Sequence, residues 1–168
     1  PEKVFAIDAA TGKMKWQRDF DIPGDVGRFA CCGIVNRGVS YADGKVFFGT
    51  LHGRLMALDA ESGETVWDIE AVDYKQGSVI TSPPLIVGDK VITGFGGGEY
   101  GARGKLQAFN VDDGSKVWET WTIPEDVADT WKGDSWRTGG AAPWFTGSYD
   151  PEANLIYWGT SNPSPWAA

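Results

Sequence analysis

The chain has 168 residues, 15 Lys and Arg against 23 Asp and Glu, and a net charge of −8, a balance that argues against a nucleic-acid partner with its need for a clustered basic face. An apolar share of 42% excludes disorder, and the apolar residues come in runs too short to span a membrane. A single His makes a Ser-His-Asp triad a poor reading, while 23 Gly and 9 Trp point to short strands and tight turns.

In chain order, a strand is expected over residues 4–7, and it runs into Asp8-Ala9-Ala10-Thr11-Gly12 and then Trp16. The same phrase returns at Asp59 to Gly63 with Trp67, and at Asn110 to Gly114 with Trp118, each Trp 51 residues after the last. Asp or Asn followed by Gly at the position that takes φ > 0 is hairpin chemistry, and the Asx side chain can bond the turn backbone. Further strands are expected over 45–50, 90–94, 105–110 and 155–160. Four short strands in each repeat of this length make a β-propeller blade, so the chain holds about three blades of an all-β propeller. Residue 1 is Pro and no signal peptide is visible, so the chain reads as an internal piece of one longer propeller domain, truncated at both ends.

Cys31 and Cys32 are adjacent. Neighbouring Cα atoms lie about 3.8 Å apart, closer than the roughly 4.4–6.8 Å of ordinary disulfides, so the residues alone leave open a strained bridge or two small buried thiols. His52, between Leu51 and Gly53, reads as a turn residue and not as a ligand. Thr81 opens a strand or supplies a hydroxyl. Gly96, Gly98 and Gly101 satisfy G-x-G-x-x-G, but a strand comes next where a dinucleotide site needs a helix. Glu99 among these glycines is either a loop residue or a carboxylate placed for a hard cation. Trp144 is core, or a flat surface on which a ring stacks. Asn162 before Pro163 is a turn residue or an amide ligand.

The Trp-bearing turn resembles the tryptophan-docking motif of the pyrroloquinoline quinone (PQQ) dependent alcohol dehydrogenases. The segments Cys31-Cys32-Gly33-Ile34-Val35-Asn36-Arg37-Gly38, Gly97-Gly98-Glu99-Tyr100-Gly101-Ala102-Arg103-Gly104 and Gly159-Thr160-Ser161-Asn162-Pro163-Ser164-Pro165-Trp166 also resemble that methanol/ethanol dehydrogenase family, in its order and over essentially the whole chain. The resemblance implies an eight-bladed propeller and oxidation of small primary alcohols to aldehydes. PQQ would be bound by a Cys31–Cys32 disulfide above its ring and Trp144 below, by Arg37 and Thr81, and by the backbone of Gly97 and Gly98. It implies calcium or a lanthanide held by Glu99 and Asn162, a cytochrome c as electron acceptor, the periplasm as location, and a homodimer of the full-length protein. The family's catalytic Asp lies C-terminal to the Asn ligand; neither Asp134 nor Asp150 matches it, and no catalytic residue is assigned within this chain. Where the family often has Ser and Thr, this chain has Gly96 and Ala142. Two other readings compete: a non-catalytic propeller that scaffolds envelope proteins, and a quinoprotein sugar dehydrogenase.

Overall fold

The computed structural model describes residues 2–164. Two complete four-stranded antiparallel sheets stand between two strand pairs. The first pair is β1 (Glu2–Ile7) with β2 (Met14–Phe20). One full sheet runs β3 (Ser40–Ala42), β4 (Lys45–Gly49), β5 (Arg54–Asp59) and β6 (Thr65–Glu70), each strand paired with the next in sequence. The other runs in the same manner through β7 (Leu85–Val87), β8 (Lys90–Gly94), β9 (Lys105–Asn110) and β10 (Lys116–Trp121). The last pair is β11 (Ser148–Asp150) with β12 (Leu155–Tyr157). These are up-and-down propeller blades, with three blades' worth of strands among the described residues. No helix among them is long and apolar enough to cross a membrane.

Side-chain alternation along a strand explains how the sheets stack. Phe47 and Phe48 are consecutive and both fully buried, yet they belong to different clusters. Phe48, Met56 and Leu58 pack on Val4, Trp16 and Phe20 of the first strand pair. Phe47, Leu55, Ala57 and Trp67 pack on Val91, Phe109 and Val111 of the next blade. A strand covered on both faces reads as a continuous apolar run, which is why Leu55 to Leu58 shows no polar alternation.

The 51-residue turn does two jobs. Asp8 Oδ1 accepts from the Ala10 and Thr11 amides and from the Thr11 hydroxyl, and Asp59 Oδ1 repeats this with Glu61 and Ser62. The third copy divides the task, with Asn110 accepting from the Asp112 amide and Asp113 from Ser115. Gly12, Gly63 and Gly114 close the turns at φ of 69°, 74° and 72°. The second job is docking between blades. Trp16 Nε1 donates to the Ala60 carbonyl at 3.0 Å, and Trp67 Nε1 to the Val111 carbonyl at 3.1 Å. The indoles lie so close that a Cβ on Gly63 would stand 2.8 Å from the Trp16 ring, and one on Gly114 would stand 2.9 Å from that of Trp67.

Three expected boundaries move, the first being the strand expected over 4–7, which begins at Glu2. The strand expected over 45–50 ends at Gly49, because the Thr50 amide turns to the Arg54 carbonyl to make the hairpin. The strand expected over 155–160 ends at Tyr157, because residues 158–162 leave the sheet to bond residues 141–143. Trp158 Nε1 donates to the Pro143 carbonyl at 3.1 Å, and the Ser161 amide to the Ala142 carbonyl at 2.9 Å.

Gly114→Ala places a methyl group against Trp67 at a left-handed backbone position, and is expected to cost about 2 kcal/mol, read as a lower urea midpoint with unchanged m-value. The Thr11 hydroxyl and then the Thr11 amide hold the Asp8 carboxyl below the usual carboxylate range; the Ser62 amide and then its hydroxyl do so for Asp59, and the Ser115 hydroxyl and then its amide for Asp113. Folded values below the unfolded ones mean stability that is present above the ordinary aspartate value of about 3.9 and lost as pH falls through the depressed folded values. Asp59→Asn keeps an acceptor but removes the titration, so the fall in urea midpoint on acidification is expected to be shallower than in wild type.

Candidate functional site

Five connecting segments converge on one cavity of about 570 Å³. They are residues 31–37 between β2 and β3, 79–81 between β6 and β7, 96–99 between β8 and β9, 142–145 between β10 and β11, and 159–162 after β12. Cys31, Cys32, Arg37, Thr81, Gly97, Gly98, Glu99, Trp144 and Asn162 all line it, so the cofactor and metal residues expected from the sequence are brought to the same place. Of the motif over 159–166, Pro165 and Trp166 lie outside the described residues.

Cys31 and Cys32 form a disulfide, with Cα atoms 3.8 Å apart, and no described cysteine is free. Cys32 sits at φ 71° and Gly33 at 88°, a left-handed pair that turns the bridge toward the cavity wall and is uncommon for a residue with a Cβ. Asn36 anchors the chain beyond the bridge: its Nδ2 donates to the Gly49 carbonyl at 2.9 Å, while its Oδ1 accepts from the Gly38 amide at 3.0 Å. Arg37 then meets the Thr81 carbonyl twice, through its amide at 3.1 Å and its Nη1 at 3.2 Å. Its guanidinium carbon stands 5.0 Å from the Trp144 ring centre and 5.7 Å from that of Phe145, within cation–π range. Thr81 Oγ1 and Ser82 Oγ both donate to the Trp144 carbonyl, at 3.4 and 2.5 Å, and this fixes the indole's backbone.

The glycine run is shaped by close approach. Gly97 is at φ 113°, and a Cβ there would fall 1.6 Å from the Gly77 carbonyl oxygen. A Cβ on Gly98 would come within 3.1 Å of Gly140 Cα. Packing against Gly77 and Gly140 thus requires glycine at both positions; both also line the cavity, and a single 3₁₀ turn, Gly98–Tyr100, carries Glu99. The turn is too short to act as a helix N-terminus, in keeping with the strand β9 on its C-terminal side. Glu99 is exposed, and neither its carboxylate nor the Asn162 side-chain amide makes a hydrogen bond or ion pair among the described residues. Two unengaged oxygen-bearing side chains on one cavity are a hard donor set. They are few: no group of three or more His, Cys, Asp or Glu gathers among the described residues.

Sequence reasoning missed part of the lining. Phe145 and Ser161 each sit beside an expected site residue, but neither has a signal of its own, and Val35 and Val79 read as ordinary strand formers. Ala142 is buried, and its amide is satisfied by Ser161 Oγ at 2.9 Å. A side chain larger than alanine at position 142 would take space from the cavity. His52 is a turn residue, as read from sequence, with Nδ1 buried and without a partner among the described residues, and its pKa lowered by burial.

Known proteins are similar to this chain in sequence and fold. The model of the family described as PQQ: Glucose/ethanol/alcohol dehydrogenase, beta-propeller domain, matches residues 1–167. The quinoprotein alcohol dehydrogenase PedH of Pseudomonas putida is 44% identical over 98% of this chain, which covers 30% of that protein. The methanol dehydrogenase [cytochrome c] subunit 1 of Methylobacterium organophilum is 39% identical over 99% of this chain and 31% of its own length. Among solved structures, a europium-containing methanol dehydrogenase superposes with a TM-score of 0.91 at 37% identity, over 98% of this chain and 32% of that one. The chain thus spans about a third of the length of the relatives it matches. With its docked indoles, its disulfide between neighbours and a match over nearly its whole length, this chain belongs to the PQQ β-propeller domain family of alcohol dehydrogenases.

Proposed function

We propose that the protein containing this chain oxidises small primary alcohols to aldehydes with PQQ and a bound calcium or lanthanide ion, and that this chain supplies a large part of the cofactor shell. The observation that carries the reading is the convergence of the Cys31–Cys32 disulfide, Arg37, Thr81, Glu99, Trp144 and Asn162 on one cavity. A scaffold propeller needs none of these. The lining suits a flat, multiply charged quinone. Trp144 offers an aromatic face, the disulfide an apolar cover, and Arg37 a permanent, fork-shaped cation for a carboxylate or quinone oxygen. Gly97 and Gly98 line the cavity with main chain alone. Glu99 and Asn162 supply oxygens of the kind a hard cation takes.

A quinone held by Arg37, Thr81 and Trp144 would supply the two-electron acceptor for the alcohol, and a cation held by Glu99 and Asn162 would supply Lewis acidity. The chain's own residues bind and orient. Arg37 is already held by the Thr81 carbonyl, so its guanidinium enters with little rotamer freedom left to lose. Thr81 and Ser82 hold the Trp144 backbone, so the stacking face is set before the ligand arrives. We assign no general base within this chain, and expect the 168 residues alone to be inactive. The oxidised cysteine pair suits an oxidising compartment, and we place the protein in the periplasm. A cytochrome c is the acceptor we propose, as in the name of the Methylobacterium relative.

The test uses the full-length protein stripped of metal and titrated with calcium or lanthanum ion in the presence of PQQ. Metal-dependent quenching of indole fluorescence and ethanol-dependent dye reduction are expected. Glu99→Gln should raise the half-saturating metal concentration by about 100-fold, and Asn162→Ala by about 10-fold. A full-length protein that binds neither PQQ nor metal would refute the reading.

A further inference from the structure

The glycine-rich segment that carries Glu99 ends on an arginine the cavity does not use. The Arg103 side chain is only 9% exposed. Its guanidinium lies between two indoles, 4.4 Å from the Trp121 ring centre and 4.5 Å from that of Trp136. Nε donates to the Ile123 carbonyl at 2.9 Å and Nη2 donates to the same oxygen, while the exposed Glu125 carboxylate stands 3.9 Å from Nη1. A guanidinium that far from water is costly unless it is engaged, and here two aromatic rings lie against it and two of its nitrogens donate.

Arg103 borders the strip of residues 139–142. It pairs with Gly140 in parallel, and the Gly104 amide donates to the Gly140 carbonyl at 2.7 Å. Thr122 Oγ1 donates to the Ala141 carbonyl at 2.7 Å, and the Thr122 amide to the Gly104 carbonyl at 2.9 Å. The other edge of the strip receives the last described segment: the Ala141 amide donates to the Asn162 carbonyl at 3.2 Å, and the Ser164 amide to the Gly139 carbonyl at 2.7 Å. Glu99 and Asn162 therefore sit on two segments laid along opposite edges of one strip. On the Glu99 side the turn is short and closed, with the Ala102 amide bonded to the Gly97 carbonyl at 3.2 Å immediately before Arg103.

We propose that Arg103 is a positioning residue for the metal site: clamped between Trp121 and Trp136 and bonded to the Ile123 carbonyl, it locks the strip to the Glu99 turn and so sets the spacing between the Glu99 and Asn162 side chains. This rests on the reading of those two as cation ligands. Lysine cannot replace it, since an ammonium neither stacks between two indoles nor bonds one carbonyl through two nitrogens. A purely structural stack would be indifferent to metal.

The experiment titrates calcium ion into metal-free, PQQ-supplemented full-length protein, followed by indole fluorescence and by thermal melting with and without metal. Arg103→Lys is expected to raise the half-saturating calcium concentration by about 10-fold, and to shrink the gap in Tm between metal-free and metal-loaded protein at one fixed calcium concentration. Trp136→Phe keeps an aromatic face and should shift half-saturation in the same direction by about 3-fold; it decides the matter if Arg103→Lys does not accumulate folded. Wild-type half-saturation in the folded variant, with both Tm values lowered equally, overturns the clamp and leaves the quinoprotein reading standing. Wild-type protein that takes up neither calcium nor, in a parallel titration, lanthanum ion overturns both.

Discussion

The structure depends on a contact between an indole and a glycine one blade further on. Trp16 lies on the turn of Gly63 and donates to the Ala60 carbonyl; Trp67 lies on that of Gly114 and donates to the Val111 carbonyl. The contact is specific in three ways at once. It needs a flat donor, a bare Cα at positive φ, and a carbonyl left over from the turn. A sheet buried on both faces by apolar packing alone could slide against its neighbour, because apolar burial has no direction. The indole N–H supplies the direction, and the blades are indexed to one another by it.

With the blades indexed, their connections arrive at one place. Disulfide, arginine, threonine, carboxylate, indole and amide come from segments spread between positions 31 and 162. Several are tied to another segment: Arg37 by the Thr81 carbonyl, the Trp144 carbonyl by the Thr81 and Ser82 hydroxyls, Gly97 against Gly77, and residues 161 and 162 along residues 141 and 142. The cavity wall is thus a network of main-chain carbonyls receiving donors from neighbouring connections. Such a wall is set before any ligand enters, and ligand binding then orders little that is not ordered already.

Much of this is legible in the residues. The repeat of Asp, Gly and Trp reports the blade, because each of the three residue types has one physical task in the turn. The continuous apolar run at Leu55 to Leu58 reports a strand covered twice. The adjacent cysteines are ambiguous by themselves, since local spacing does not tell a bridge from two thiols; the oxidised pair is a property of the folded site. The end of the last strand at Tyr157 is illegible because residues 158–162 satisfy their backbone on a segment about 20 positions earlier, a long-range choice no local pattern records. Arg103 is illegible for the same reason: its two indoles come from positions 121 and 136, and only the fold assembles them.

The divergent burial of Phe47 and Phe48 bears on how such a protein can change over generations. Inserting or deleting one residue in β4 would hand each ring to the wrong neighbour and disrupt two interfaces together. Chains of this fold are therefore expected to keep their strand lengths and to place insertions and deletions between strands. Four of those intervals wall the cavity, so there evolutionary freedom in length and freedom in chemistry fall on the same stretches of chain.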